Sequence, residues 1–96
     1  MTQKTVAQTR NYRVENVKQA REIALSIVKL YELENAITFG LPEIDDRYRI
    51  WRVPLRKKGT KNNIGEVVID AKSSLIDNQR TTQKEILETS TLSVLS

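Results

Sequence analysis

The sequence predicts an α+β fold, in which one amphipathic helix packs on a small three-stranded antiparallel sheet in the order helix, strand, strand, strand. Apolar residues recur at helical spacing in residues 17–34. Two later segments alternate apolar and polar residues, and a polar loop at residues 57–63 joins them as a hairpin. With 96 residues, the chain has room for one domain with a thin core.

The predicted helix covers residues 17–34. Asn16 and Gln19 have the spacing of a capping box at its start, and Asn35 suits the left-handed conformation that ends many helices. No glycine or proline interrupts the segment. Its apolar stripe consists of Val17, Ala20, Ala24, Ile27, Val28 and Tyr31.

Three strands are predicted at residues 36–41, 47–56 and 64–71, and a turn rich in proline and acidic residues separates the first two. Pro54 has no N–H group to donate, which indicates an edge position or a strand end. The side chains expected to cover the helix stripe are Trp51, Val53, Val67 and Ile69.

A second, shorter helix is predicted near residues 82–89. Thr82 and Glu85 have the spacing of a capping box ahead of an apolar pair. Between the third strand and this helix, Leu75 and Ile76 are placed to fold back on the sheet. The C-terminal helix would complete a domain of residues 14–89.

Outside that domain, residues 1–13 are polar and unpatterned and are expected to form a flexible arm. Residues 90–96 are apolar and rich in hydroxyl groups, which is typical of an additional strand or of a docking tail. No apolar run resembles an export signal or a membrane span, so a cytoplasmic protein is expected.

The composition excludes several kinds of catalytic site. The chain has no cysteine and no histidine, which excludes disulfides, thiolate or imidazole metal sites, and nucleophiles activated by histidine. The three glycines fit no nucleotide-binding fingerprint. We therefore predict no catalytic residue, no metal site and no cofactor.

The net charge of +4 conceals a sharp change of sign along the chain. Residues 32–46 contain no base and five acids, which are Glu32, Glu34, Glu43, Asp45 and Asp46. Residues 47–61 contain no acid and seven bases, which are Arg47, Arg49, Arg52, Arg56, Lys57, Lys58 and Lys61.

Two stretches carry a resemblance to a known family: Tyr48-Arg49-Ile50-Trp51-Arg52-Val53-Pro54, and Gly65-Glu66-Val67-Val68-Ile69-Asp70-Ala71-Lys72. With the preceding helix they resemble the PepSY-type small α+β domain over about residues 17–77. Ser74 stands where that pattern usually has glycine. The resemblance implies a non-enzymatic module, which in this family sometimes inhibits or chaperones a protease.

The function that the sequence favours is a non-enzymatic interaction module or accessory subunit. Its partner is another protein or a second copy, bound through a sheet edge or through the tail residues Leu92, Val94 and Leu95. The acidic run of one molecule and the basic run of another also offer head-to-tail association. Solvated surface charge is the alternative explanation of both runs.

The first alternative is a nucleic-acid-binding accessory protein, since clustered bases neutralise phosphates and interleaved aromatic rings stack on bases. Its candidate contacts are Arg47, Arg49, Trp51, Arg52, Arg56, Lys57, Lys58 and Lys61. The competing interpretation places Trp51 in the core and gives the bases the task of protecting an edge strand.

A divalent-metal nuclease is a more distant alternative. Asp45 or Asp46, together with Asp70-Ala71-Lys72, resembles the pattern in which two carboxylates hold Mg²⁺ and a lysine orients water. A strand-end turn with a solvated charge pair explains the same residues.

Overall fold

A computed structural model of the protein describes residues 11–92. All four strands pair antiparallel in one sheet, which confirms the predicted α+β class with a helix packed on an antiparallel sheet and a short C-terminal helix. In chain order the elements are α1 (Val17–Leu30), β1 (Ile37–Phe39), β2 (Glu43–Asp45), β3 (Ile50–Lys57), β4 (Asn63–Asp70) and α2 (Lys84–Leu92).

The central strand is β3, which pairs with β4 on one side and with both β1 and β2 on the other. The predicted place of Pro54 at an edge or strand end is therefore wrong, because Pro54 lies inside β3. Its carbonyl oxygen accepts a hydrogen bond from Gly40 N at 2.9 Å, so the side that lacks a donor faces β1 and β2. There residues 40–42 lie opposite only residues 53–54, and this bulge interrupts the neighbouring strand.

The turn before β3 comes later than the sequence predicted. Asp45 pairs with Ile50, so residues 46–49 make the connection and β3 begins at Ile50 instead of residue 47. Tyr48 N donates to Asp45 O at 3.3 Å, and Arg49 takes a positive φ of 56°. The region predicted as a turn thus contains the additional strand β2.

The core lies between α1 and one face of the sheet, as predicted. The helix contributes Ala20, Ala24 and Val28. Trp51 is 6% exposed and its indole N–H donates to Val14 O at 2.8 Å, which fixes the N-terminal segment across the sheet. The sheet contributes the buried residues Trp51, Val53, Leu55, Val67, Ile69 and Ala71.

Helix α1 begins as predicted, because Asn16 Oδ1 accepts from Gln19 N at 2.9 Å. Its end differs, since the left-handed residue is Glu32, with a φ of 62°, and not Asn35. Leu33 N donates to Val28 O, and Glu32 N donates to Lys29 O. This pair of bonds forms a Schellman motif, in which glycine is the favoured left-handed residue.

We expect Glu32→Gly to raise the free energy of unfolding by about 0.5–1 kcal/mol, because glycine removes the steric cost of positive φ, partly offset by the entropy of the unfolded chain. Urea denaturation followed by Trp51 fluorescence measures the change. Glu34→Gly is the matched control and should destabilise slightly. Equal effects of the two substitutions would contradict the assignment of the motif to Glu32.

The outer edge of β4 is closed by residues 75–82. Thr81 is 6% exposed, and its Oγ1 accepts from Val68 N at 2.9 Å. Thr82 N donates to Glu66 O, and Thr82 Oγ1 accepts from Glu66 N. The predicted capping role of Thr82 is therefore wrong, since its hydroxyl serves the sheet and α2 begins two residues later.

We expect Thr81→Val to lower the free energy of unfolding by about 1–3 kcal/mol, because valine has the same shape but leaves a buried backbone N–H unsatisfied. The same urea titration measures this change in the free energy of unfolding. Thr89→Val, at an exposed position of α2, should cost less than about 0.5 kcal/mol. Similar costs at both positions would show that the hydroxyl of Thr81 does not hold the edge.

Candidate interaction surface

The acidic and basic runs of the sequence lie against each other in the fold. The chain reverses direction at residues 46–49, so residues of the acidic run pair with residues of the basic run. Glu43 faces Arg52 in the register, and Lys58 N donates to Ala36 O at 2.9 Å. Opposite charges across a strand pair stabilise a sheet. The change of sign therefore coincides with a strand pair within one molecule, and head-to-tail association stays a prediction.

Two of the predicted nucleic-acid contacts are ion-paired. Arg47 makes two side-chain bonds to Asp45, at 3.0 and 3.1 Å, and Arg52 Nη1 lies 2.9 Å from Glu66 Oε2. The hydrogen bond from the Arg47 side chain is the main cause that lowers the pKa of Asp45. These two arginines are therefore already partly neutralised.

The remaining bases of the run include a group at the far end of the β3–β4 hairpin. Arg56, Lys57, Lys58 and Lys61, which we call the basic end, form no salt bridge with any acid of residues 11–92. Arg49 also lacks a salt bridge there, but it lies in the turn at the opposite end of β3. The predicted basic cluster is thus divided along the length of the strand.

Trp51 lies in the core, so the aromatic ring that this segment exposes is Tyr48. Tyr48 is 54% exposed and lies between two guanidinium groups, with Arg47 5.3 Å and Arg80 5.5 Å from the ring centroid. Arg80 is itself paired with Asp77 at 3.0 Å. Three acids, Asp45, Asp46 and Asp77, accompany the bases at this turn, which makes it nearly neutral.

Residues 75–82 close the outer edge of β4, whereas no further strand of the described chain pairs along the β1–β2 side. Gly40 N bonds to Pro54 and Ala36 O bonds to Lys58, so by alternation the backbone N–H and C=O groups of Ile37 and Phe39 point away from the sheet. Ile37 as a whole is only 4% exposed, whereas Phe39 is half-buried. We call the outward side of β1 and β2 the open edge. No sequence pattern singled it out, because the two short strands resemble a strand followed by a turn.

The open edge carries an apolar ledge on the helix side of the sheet. Helix α1 packs over β3 and β4, which leaves Phe39 and Ile44 half-buried. Leu41, in the bulge between them, is 64% exposed. Exposed apolar groups beside unpaired backbone donors and acceptors are the features to which an added strand binds.

Arg56 connects the basic end to the open edge. Its guanidinium lies over Gly40, where an added Cβ would come within 3.1 Å of Nε and Nη2. Its Nε donates to Asn63 Oδ1 at 3.4 Å, and no carboxylate of residues 11–92 binds it. Glycine at position 40 therefore gives this cation access to the strand at the edge.

The carboxylates of the nuclease hypothesis are not brought together. Asp45 and Asp70 both pair with Ile50, from opposite sides, so their strands are about 10 Å apart at the usual sheet spacing. Asp70 Oδ1 accepts from Ser73 N and Lys72 N, and the first of these bonds is the main cause that lowers its pKa. No group of three or more potential metal ligands occurs among residues 11–92.

The predicted tail is described only in part. Leu92 is the last residue of α2 and is 61% exposed. Val94 and Leu95 lie outside the described residues, as do residues 1–10 of the predicted arm. In the described part of the arm, Tyr12 Oη donates to Asp46 Oδ1 at 3.0 Å.

No family model, curated protein or solved structure matches the chain. No helix in the part of the chain that the structure describes is long and apolar enough to cross a membrane.

Proposed function

We propose that the chain is a non-enzymatic interaction module, an accessory subunit that binds an extended segment of another protein along the open edge. The observation that carries this proposal is the asymmetry of the sheet. Thr81 and Thr82 satisfy the outer backbone groups of β4, whereas those of Ile37 and Phe39 have no strand to pair with among residues 11–92. A partner strand would satisfy them and cover the apolar ledge.

A different protein suits the edge better than a second copy. If two copies paired antiparallel through β2, Glu43 of one would lie against Asp45 of the other, and like charges directly opposite are destabilising. Antiparallel pairing through β1, centred on Thr38, would place the Arg56 residues of both copies beside the same strand pair. The PepSY-like pattern also implies a module that acts on another protein.

We expect a photo-crosslinker attached at Thr38→Cys or Leu41→Cys to form one protein adduct in extracts of the source cell, because both side chains are exposed at the open edge. The chain has no cysteine of its own, so labelling is specific. Unlabelled wild-type protein should compete for the adduct. Leu41→Asn should compete about tenfold less well, since it removes an apolar contact.

Gln79→Cys is the matched control, because it is exposed on the closed side of the sheet. Equal yields from the edge and control positions would reject the proposal. So would an adduct that disappears on nuclease treatment.

A nucleic-acid-binding accessory protein is the second candidate, which the lack of acid partners at the basic end favours. If four bases contact phosphates, affinity for DNA or RNA should fall roughly a hundredfold between 50 and 200 mM salt. Lys57→Glu should weaken binding further, whereas Lys18→Glu on α1 should have little effect. An electrophoretic shift measures both, and salt-insensitive binding or equal effects of the two substitutions would contradict this candidate.

A further inference from the structure

We infer that the segment bound at the open edge is acidic: it alternates apolar residues with aspartate or glutamate, and the carboxylates meet Arg56 and the lysines of the basic end. This inference rests on the proposed function and specifies the chemistry of its partner. It follows from which groups border each side of β1.

Side chains of an added strand would alternate between the two faces of the sheet. On the helix side they would lie beside Phe39, where apolar side chains extend the ledge. On the opposite face, which we call the open face because α1 does not cover it, they would lie beside Thr38, which is small and exposed. Each face of the added strand therefore meets a different chemical environment.

Arg56 determines the charge on the open face. It is the register partner of Thr38, and its guanidinium extends over Gly40 toward the open edge. An added strand would lie two strand spacings, about 10 Å, from β3, a gap that an arginine and a glutamate side chain close together across Thr38. A carboxylate there would give Arg56 the charge-assisted hydrogen bond that no acid of residues 11–92 supplies.

The lysines of the basic end add positive charge at the start of β1, where Lys57 shares the helix face with Leu55 by alternation. Lys57 is the register partner of Ile37, and the backbone of Lys58 is bonded to Ala36, so both residues border the start of β1. Along β2 the situation differs, because Glu43 faces Arg52 and Asp45 binds Arg47. The attraction for an acidic segment is therefore confined to β1.

The test is a selection of random ten-residue linear peptides, displayed as a library, against the wild-type chain. Leu41→Asn with Phe39→Pro serves as the edge-blocked comparison, because proline at position 39 removes an outward N–H group. We expect the enriched peptides to alternate apolar and acidic residues. Enrichment of basic or unpatterned peptides would overturn the acidic inference alone, whereas equal enrichment on the edge-blocked chain would overturn the proposed function as well.

A charge comparison with the best enriched peptide then tests the role of Arg56. Arg56→Gln should weaken binding about tenfold or more, which is the size expected for losing one charge-assisted hydrogen bond. Arg52→Gln is the matched control on the same strand and face, and it should weaken binding less than about threefold because Glu66 already pairs with Arg52. Equal losses from the two variants would overturn the inference.

A competition experiment separates this partner from nucleic acid. An oligothymidylate of 20 nucleotides should fail to displace the enriched peptide at equal concentration, because it offers no backbone donors to the open edge. Complete displacement would overturn the inference and assign the basic end to nucleic acid.

Discussion

The arrangement of the sheet depends on one missing hydrogen-bond donor in its central strand. Pro54 lies in the middle of β3 and cannot donate to the strand beside it. The neighbouring chain therefore leaves the ladder after Gly40, whose N–H still bonds to Pro54 O, and rejoins it at Glu43 one residue out of register. This bulge exposes Leu41 and places Gly40, which has no side chain, beneath the guanidinium of Arg56. The principal features of the candidate surface thus follow from one proline.

The charge pattern has a similarly local explanation. The sequence changes from acidic to basic at residues 46–47, and without the fold this change suggests two separate charged surface patches. Folded as an antiparallel pair, it places acid beside base, as Asp45 and Arg47 and the register partners Glu43 and Arg52 illustrate. Among the described residues, the bases at the end of the hairpin have no acid in salt-bridge contact. The informative quantity is therefore the charge left after pairing, not the net charge of +4.

The sequence was sufficient to predict features that depend on local periodicity. The stripe of α1, the hairpin of β3 and β4, and the burial of Trp51 against the helix all follow from the spacing of apolar residues. Ser74 takes a positive φ of 68°, a conformation that favours glycine, and it stands at the position where the PepSY-like pattern usually has glycine. The family assignment itself stays a prediction.

The features that escaped prediction depend on pairings between distant segments. Nothing near Thr81 in the sequence shows that its hydroxyl will bind Val68 N, and local spacing assigned the neighbouring Thr82 to a helix cap. The same holds for Leu41, which the sequence assigns to the end of the first strand and which the register places in a bulge between β1 and β2. A local pattern reports which face of an element is buried, but it does not report which edge of a sheet remains open.

The two edges of this sheet differ in how the chain protects them. Exposed strand edges favour aggregation, and proteins usually shorten, bulge or cover them. Here β4 is covered by residues 75–82 of the same chain, while the β1–β2 edge is only shortened and bulged. A three-residue strand is too short to recruit any extended chain strongly, so side-chain contacts must contribute most of the selectivity. In the complex that we propose, an apolar ledge on one face of β1 and the guanidinium of Arg56 on the other would distinguish a patterned acidic strand both from a second copy of the chain and from a phosphate backbone.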